Sequence, residues 1–181
     1  MDFAMEFYAS PSGEVSFVGY SLFETDAHGN YKSNRLLANE RIETILATYV
    51  PVALLHQVRD ELLSYFYGIF AGVHEGYLGV DMMVCRGDTG EYLLHPLVEV
   101  NLRMNMGVFS RLFFDRYCVP SASGRYAVEY FRSEKDASRF DAKMRTDYPL
   151  QVSAHRVISG YLPLIPVSDH THYVAYVIIL G

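Results

Sequence analysis

The sequence predicts an α+β fold in which an antiparallel β-sheet has helices packed on one face. Three observations lead there. The chain opens on a β-hairpin, with Ala4, Glu6 and Tyr8 alternating against Met5 and Phe7, a Pro11-Ser12-Gly13 turn and a return strand over Glu14–Phe23. Further on, Leu55, Val58, Leu62, Tyr65, Phe66 and Ile69 recur at helical spacing and are expected to face a core. A second hairpin follows, Tyr77–Cys85 and Glu91–Arg103, joined by Gly87-Asp88-Thr89-Gly90.

The remaining elements fill in around these. The first hairpin starts at the first residue, and nothing precedes it to cover its outer edge. Natural sheets avoid such exposure, so an upstream partner is expected. A polar loop spans Glu24–Asn34, and the helical stretch after it is broken at Pro51, with Gly72 and Gly76 ending its second part. In the second hairpin His95-Pro96 interrupts the return strand and calls for a bulge. Val108–Tyr117 then reads as a helix stopped by Pro120, followed by a strand over Tyr126–Phe131, a charged helix near Glu134–Arg145 and a closing strand at Tyr173–Leu180. With no repeat and no linker, the expectation is one domain over residues 1–181.

Composition narrows the function. With 181 residues, 50% apolar and 20% charged, the chain can fill a core. A net charge of −6 leaves no basic stripe for nucleic acid. Two cysteines, Cys85 and Cys118, fit neither a disulfide framework nor a metal spacing and read as core thiols in a reducing, cytoplasmic setting. The longest apolar tail, Tyr173–Leu180, is too short to span a bilayer, so no membrane association is expected. Of the seven histidines only His170 and His172 form a close pair, which falls short of a metal site.

The chemistry lies in Gly79-Val80-Asp81 and Glu99-Val100-Asn101-Leu102-Arg103. Residues two apart on a strand share a face, so Glu99, Asn101 and Arg103 should project as one row, with Val98 and Val100 turned into the core beneath the helix from Leu55 to Phe70. A bulge near His95-Pro96 lets Asp81 sit across from Glu99. Adjacent carboxylates repel, and one of them is pushed up in pKa unless a cation lies between them. Mg²⁺, or Mn²⁺, suits two carboxylates and an amide oxygen whose remaining positions are filled by water and phosphate. Arg103 would then lie where a guanidinium stabilises phosphoryl charge. Alternation alone also puts polar residues on any half-buried strand.

In order along the chain, these motifs resemble the ATP-grasp superfamily, most legibly its biotin carboxylase branch. There a strand bearing Val-Glu-Ile-Gln leads through a Gly turn to a return strand, which looks like Ala4-Met5-Glu6-Phe7 through Gly13 to Tyr20. A later Gly-x-Gly-Thr-Phe-Glu is similar to Gly76-Tyr77-Leu78-Gly79-Val80-Asp81, and Glu-x-Asn-x-Arg is matched by Glu99 to Arg103. The resemblance runs from Ala4 to Tyr117. It implies the C-terminal half of an ATP-grasp domain, with Asp81, Glu99 and Asn101 as metal ligands, Arg103 on phosphate or acyl phosphate, and ATP with Mg²⁺ as cofactors. Lys32, Asn34 and Arg35 fall in a loop that supplies further phosphate or substrate contacts in relatives.

Asp81 stands where biotin carboxylase has Glu, the second hairpin is longer, and the segment after Pro120 matches nothing in the pattern. The nucleotide-gripping lysines, Gly-rich phosphate loop and adenine hinge of the family have no counterpart among the three lysines, Lys32, Lys135 and Lys143. The expectation is a fragment, inactive alone. Its parent would be a ligase that joins a small-molecule carboxylate to an amine or other nucleophile through an acyl phosphate, and its partner the missing N-terminal half. The alternative is a non-catalytic binding or scaffold domain that keeps the half-fold.

Overall fold

The computed structural model describes residues 1–168 and 170–181, and of residue 134 the backbone only. In chain order the elements are β1 (Asp2–Ala9), β2 (Val15–Thr25), β3 (Tyr31–Leu36), α1 (Asn39–Leu46), α2 (Val52–Phe70), β4 (Gly76–Arg86), β5 (Tyr92–Asn101), α3 (Met106–Tyr117), β6 (Ser123–Tyr130), α4 (Glu134–Asp147), β7 (Gln151–Ser153), β8 (Arg156–Pro163) and β9 (Tyr173–Leu180). The fold is α+β with antiparallel strand pairs, as the sequence predicts. No helix among the described residues is long and apolar enough to cross a membrane.

The chain forms two compact units, Met1–Phe23 with Asn39–Arg111, and Glu24–Ala38 with Leu112–Gly181. In the first the strand order is β5-β4-β1-β2. β1 is therefore not the exposed edge expected of it. β4 pairs with it from Asp2↔Met83 to Ala9↔Gly76, supplying from within the chain the cover that had been sought upstream.

Phe3, Met5 and Phe7 are fully buried on one face of β1, where Phe66 of α2 sets its ring 5.5 Å from that of Phe7. Each such side chain contributes roughly 1.5–3 kcal/mol through burial. The other face, bearing Ala4 and Glu6, is met by α3. A Cβ at Gly107 would lie 2.0 Å from Glu6 Oε1, and one at Gly19 2.6 Å from Arg111 Cδ. α2 and α3 thus meet β1 from opposite faces.

Three further expectations are corrected in this unit. In α2 the buried residues are Leu55, Phe66 and Phe70, whereas Tyr65 and Ile69 are exposed, so the apolar stripe is narrower than its spacing implied. Val98 and Val100 share a face with Val80 but stay exposed, at 56% and 38%. β5 is the outermost strand of the unit, and the apolar face of α2 is spent on β1 instead. Cys85 is only half-buried, its Sγ beside Leu93 O, while Cys118 is buried as expected.

In the second unit the strand order is β3-β6-β9-β8-β7. Its core gathers Ala127, Ala137, Tyr161, Val174 and Tyr176, with Phe131, Phe140 and Met144 against it. The polar stretch Glu24–Asn34 is not all loop. Asp26 Oδ1 accepts from the backbone N–H of His28 and of Asn30, which closes a tight turn, and β3 starts at Tyr31. β7 and β8 had no counterpart in the sequence reading. The turn between them puts Ala154 and His155 at φ of 48° and 62°, a conformation usually announced by Asn-Gly or Asp-Gly.

Candidate functional site

The site is assembled on the Glu6 face of the first unit by strand register. Asp81 on β4 lies directly opposite Glu99 on β5, and Gly79 opposite Asn101, with a register shift between Asp81 and Met83 that takes up the residues around His95-Pro96. Cross-strand partners have Cβ atoms about 4.5–5.5 Å apart, so the two carboxylates are neighbours. Burial, and then the charge of Glu99, push Asp81 above the ordinary carboxylate range, with Asp2 adding a smaller push in the same direction. The Asn101 hydrogen bond and the charge of Arg103 pull it back. Asp81 is half-buried, Glu99 is exposed and Asn101 is buried.

Hydrogen bonds link three of the four residues in series. Asn101 Nδ2 donates to Asp81 Oδ2 at 3.1 Å, and Arg103 Nη2 donates to Asn101 Oδ1 at 3.1 Å. Arg103 is not a strand residue, as the alternation had it. β5 ends at Asn101, whose carbonyl accepts from Arg103 N at 2.9 Å, and the chain bends there. The guanidinium still reaches the row because the bend folds it back onto Asn101. The polar face is open at Glu99 and closed at Asn101, rather than open throughout.

The donor set suits a hard divalent cation. Two carboxylates of which one is desolvated by its surroundings, beside an amide, are oxygen ligands of the kind Mg²⁺ and Mn²⁺ take. Among the described residues no group of three or more His, Cys, Asp or Glu side chains is placed to hold a metal. A cation here would have two charged protein ligands and would complete its shell with water and phosphate oxygens. Asn101 Oδ1 keeps a second lone pair beside the one engaged by Arg103.

The three residues expected in a loop behave otherwise. Lys32, Asn34 and Arg35 lie on β3, in the second unit, while the row lies in the first. Alternation puts Lys32 and Asn34 on one face and Arg35 on the other. Lys32 and Arg35 are exposed, whereas Asn34 is buried with its Oδ1 accepting from Tyr31 OH at 2.6 Å.

Sequence reasoning passed over Glu6. It is fully buried, receives hydrogen bonds from Ser21 Oγ at 2.8 Å and Asn105 Nδ2 at 3.2 Å, and is pushed up to about 7 mainly by burial. The signal was there, a Glu between Met5 and Phe7 in mid-strand, but it is informative only once β1 is known to be an inner strand.

No protein-family model matches the sequence, and no curated protein matches it. Solved structures do. A biotin carboxylase–β,γ-ATP complex from Campylobacter jejuni matches at a TM-score of 0.44 and 11% identity, covering 99% of this chain and 41% of that one. The ATPase subunit of phosphoribosylaminoimidazole carboxylase from Aquifex aeolicus matches at 0.47 and 12%, covering 99% and 53%. N5-carboxyaminoimidazole synthetase from Staphylococcus aureus, with ADP, matches at 0.47 and 6%, covering 99% and 46%. The chain therefore spans between 41% and 53% of these structures. They are ATP-grasp enzymes, the superfamily that the motifs resemble. At these identities the likeness concerns the arrangement of strands and helices, and the chemistry has to be argued from the residues themselves.

Proposed function

We propose that this chain is the metal- and phosphate-holding half of an ATP-grasp carboxylate ligase that uses ATP and Mg²⁺ or Mn²⁺. The observation that carries the reading is the pairing of Asp81 with Glu99, with Asn101 and Arg103 joined to Asp81 by consecutive hydrogen bonds. A half-buried carboxylate whose proton affinity is raised by burial and by the carboxylate beside it is costly to keep unless a cation neutralises the pair.

Asp81 and Glu99 would hold the cation, with Asn101 offering an amide oxygen. The bound cation would supply charge neutralisation at the phosphate oxygens. Arg103, outside the strand and exposed, can extend its guanidinium towards a phosphoryl or acyl phosphate group, where planar donors match the oxygens. Positioning and charge stabilisation are what such a site contributes, so no Ser, Cys or Lys nucleophile is required. A second half would grip the adenosine, and the whole would join a small-molecule carboxylate to an amine or another nucleophile by way of an acyl phosphate.

Phosphorus NMR tests this with inorganic tripolyphosphate and Mg²⁺ titrated into the 181-residue chain. The chain should bind in the millimolar range, and Arg103→Ala should weaken binding by about tenfold, the usual scale for a charge-assisted hydrogen bond. Equal binding by both proteins sinks the role of Arg103. ATP bound at micromolar affinity by this chain alone would remove the need for a second half.

A further inference from the structure

Glu6 holds an arrangement that a fold alone does not require. A fully buried carboxyl group is expensive, and an apolar side chain of similar size serves packing at lower cost. Here two strands and a helix are shaped around it. A Cβ at Gly79 on β4 would fall 2.4 Å from Glu6 Oε2 and 2.1 Å from Asn105 Nδ2. One at Gly107 on α3 would fall 2.0 Å from Glu6 Oε1 and 2.4 Å from Ser21 Oγ. Each carboxyl oxygen has its own donor, Ser21 for Oε1 and Asn105 for Oε2.

Asn105 is used at both ends. Its Oδ1 accepts from Val108 N at 2.8 Å and so caps α3, while its Nδ2 goes to Glu6. With the amide oxygen committed to the helix, the nitrogen takes its acceptor from the sheet. The turn of residues 102–105 is thereby fastened to two strands, to β4 through Asn101 and Asp81 and to β1 through Asn105 and Glu6. Arg103 lies between the two fastenings.

We propose that Glu6 is a positioning residue: by accepting from Asn105 it fixes the turn that presents Arg103 at the end of the carboxylate row. The proposal rests on Arg103 as the phosphate contact. What Glu6 supplies is an acceptor, not a charge. Its carboxyl is pushed up to about 7 by burial, and the protonated form accepts at Oε2 as the ionised form does. Glutamine at this position serves equally, its amide oxygen facing Asn105 and its amide nitrogen facing the Ser21 hydroxyl, which can accept as well as donate.

The test compares Glu6→Gln, Glu6→Leu and Asn105→Ala with the unaltered chain. The readouts are hydrogen exchange at the Arg103 amide and the tripolyphosphate titration. Asn105→Ala breaks the same bond from the turn side without opening the strand interior, so a folding failure of Glu6→Leu leaves the test standing. Glu6→Leu and Asn105→Ala should each speed exchange at Arg103 by about fivefold to tenfold and weaken tripolyphosphate to the level of Arg103→Ala. Glu6→Gln should change neither. Placed on Arg103→Ala, Asn105→Ala should give no further loss of tripolyphosphate, which a merely structural role would not produce. Unchanged tripolyphosphate binding in both Asn105→Ala and Glu6→Leu overturns the proposal, as does a loss in Glu6→Gln equal to that in Glu6→Leu. If Arg103→Ala itself leaves tripolyphosphate binding intact, it is the phosphate role of Arg103 that falls.

Discussion

Two carboxylates of the first unit, Glu6 and Asp81, are set in surroundings unlike those of the matched carboxylates in the second. Those in the second unit are matched at or near the surface. Tyr176 OH donates to Glu129 at 2.6 Å while accepting from Arg125, Tyr161 OH donates to Asp141, and Arg145 and Lys143 each bridge one turn of α4 to Asp141 and Asp147. In the first unit Glu6 is buried with neutral donors, and Asp81 is set beside another carboxylate. Surface pairs of the first kind are worth little each and hold a helix or strand in place. Carboxylates whose proton affinity is raised by burial and by a neighbouring carboxylate keep a site under electrostatic tension, which a bound cation or a proton relieves. Under the proposed function, the contrast puts the cation site in the first unit.

The largest expected effect is on pH. Glu6 is raised in the folded chain from 4.5 to about 7, so the stability it contributes is fully present below pH 4.5 and is lost as pH rises through about 7. The loss is on the order of 3 kcal/mol, at 1.36 kcal/mol for each pKa unit. Glu6→Gln removes the titration, and chemical denaturation at pH 5 and pH 8 should show a gap between the two that is smaller by that amount in the variant. An unchanged gap would show that Glu6 titrates normally and that the contrast between the units is overdrawn.

Next in size is Gly107→Ala. The added methyl meets Glu6 Oε1 and Ser21 Oγ inside a packed region, and overpacking of this kind costs about 2–3 kcal/mol. Glu6→Ala in the same chain opens room for the methyl, so the double variant should lose less than the two single losses combined, as measured by urea midpoints. Strict additivity would separate the glycine from the carboxyl.

Smaller still is Tyr176→Phe in the second unit. It removes a hydroxyl bonded to Glu129 and Arg125, but both partners are 40% exposed and water replaces what is lost. The expected cost is about 1 kcal/mol by thermal melting, with no change in metal binding by the first unit. A change in metal binding would mean that the second unit and the proposed cation site are not separable.

Much of this was legible in the sequence, and the failures have physical causes. Asp81 opposite Glu99 follows from alternation plus one bulge at His95-Pro96, both local signals. So do α3, α4 and the closing strand. The burial of Glu6 was not legible, because it depends on β4 inserting beside β1, a pairing between segments about seventy residues apart that no local period encodes. Val98 and Val100 failed for a related reason. Alternation assigns a residue to a face, but whether that face is covered depends on which strand ends up outermost. Arg103 was placed on the row by counting in twos beyond the point where the strand bends, although the bend returns its guanidinium to Asn101. The hairpin of β7 and β8 was missed because its turn uses Ala154 and His155, residues that carry no turn signal.

On the proposed function, Asp81 and Glu99 together hold a divalent cation. Water-proton relaxation enhancement by Mn²⁺ tests it most directly on the 181-residue chain, with Asp81→Ala and Glu99→Ala as comparisons. Binding should be weak, in the millimolar range, since two carboxylates and an amide leave most of the shell to water. It should weaken further below the raised pKa of Asp81, where a proton competes for the ligand. Loss of the enhancement in each variant is the predicted result. An enhancement that persists unchanged in both would make the two carboxylates part of an ordinary polar strand face, and the proposed function would go with them.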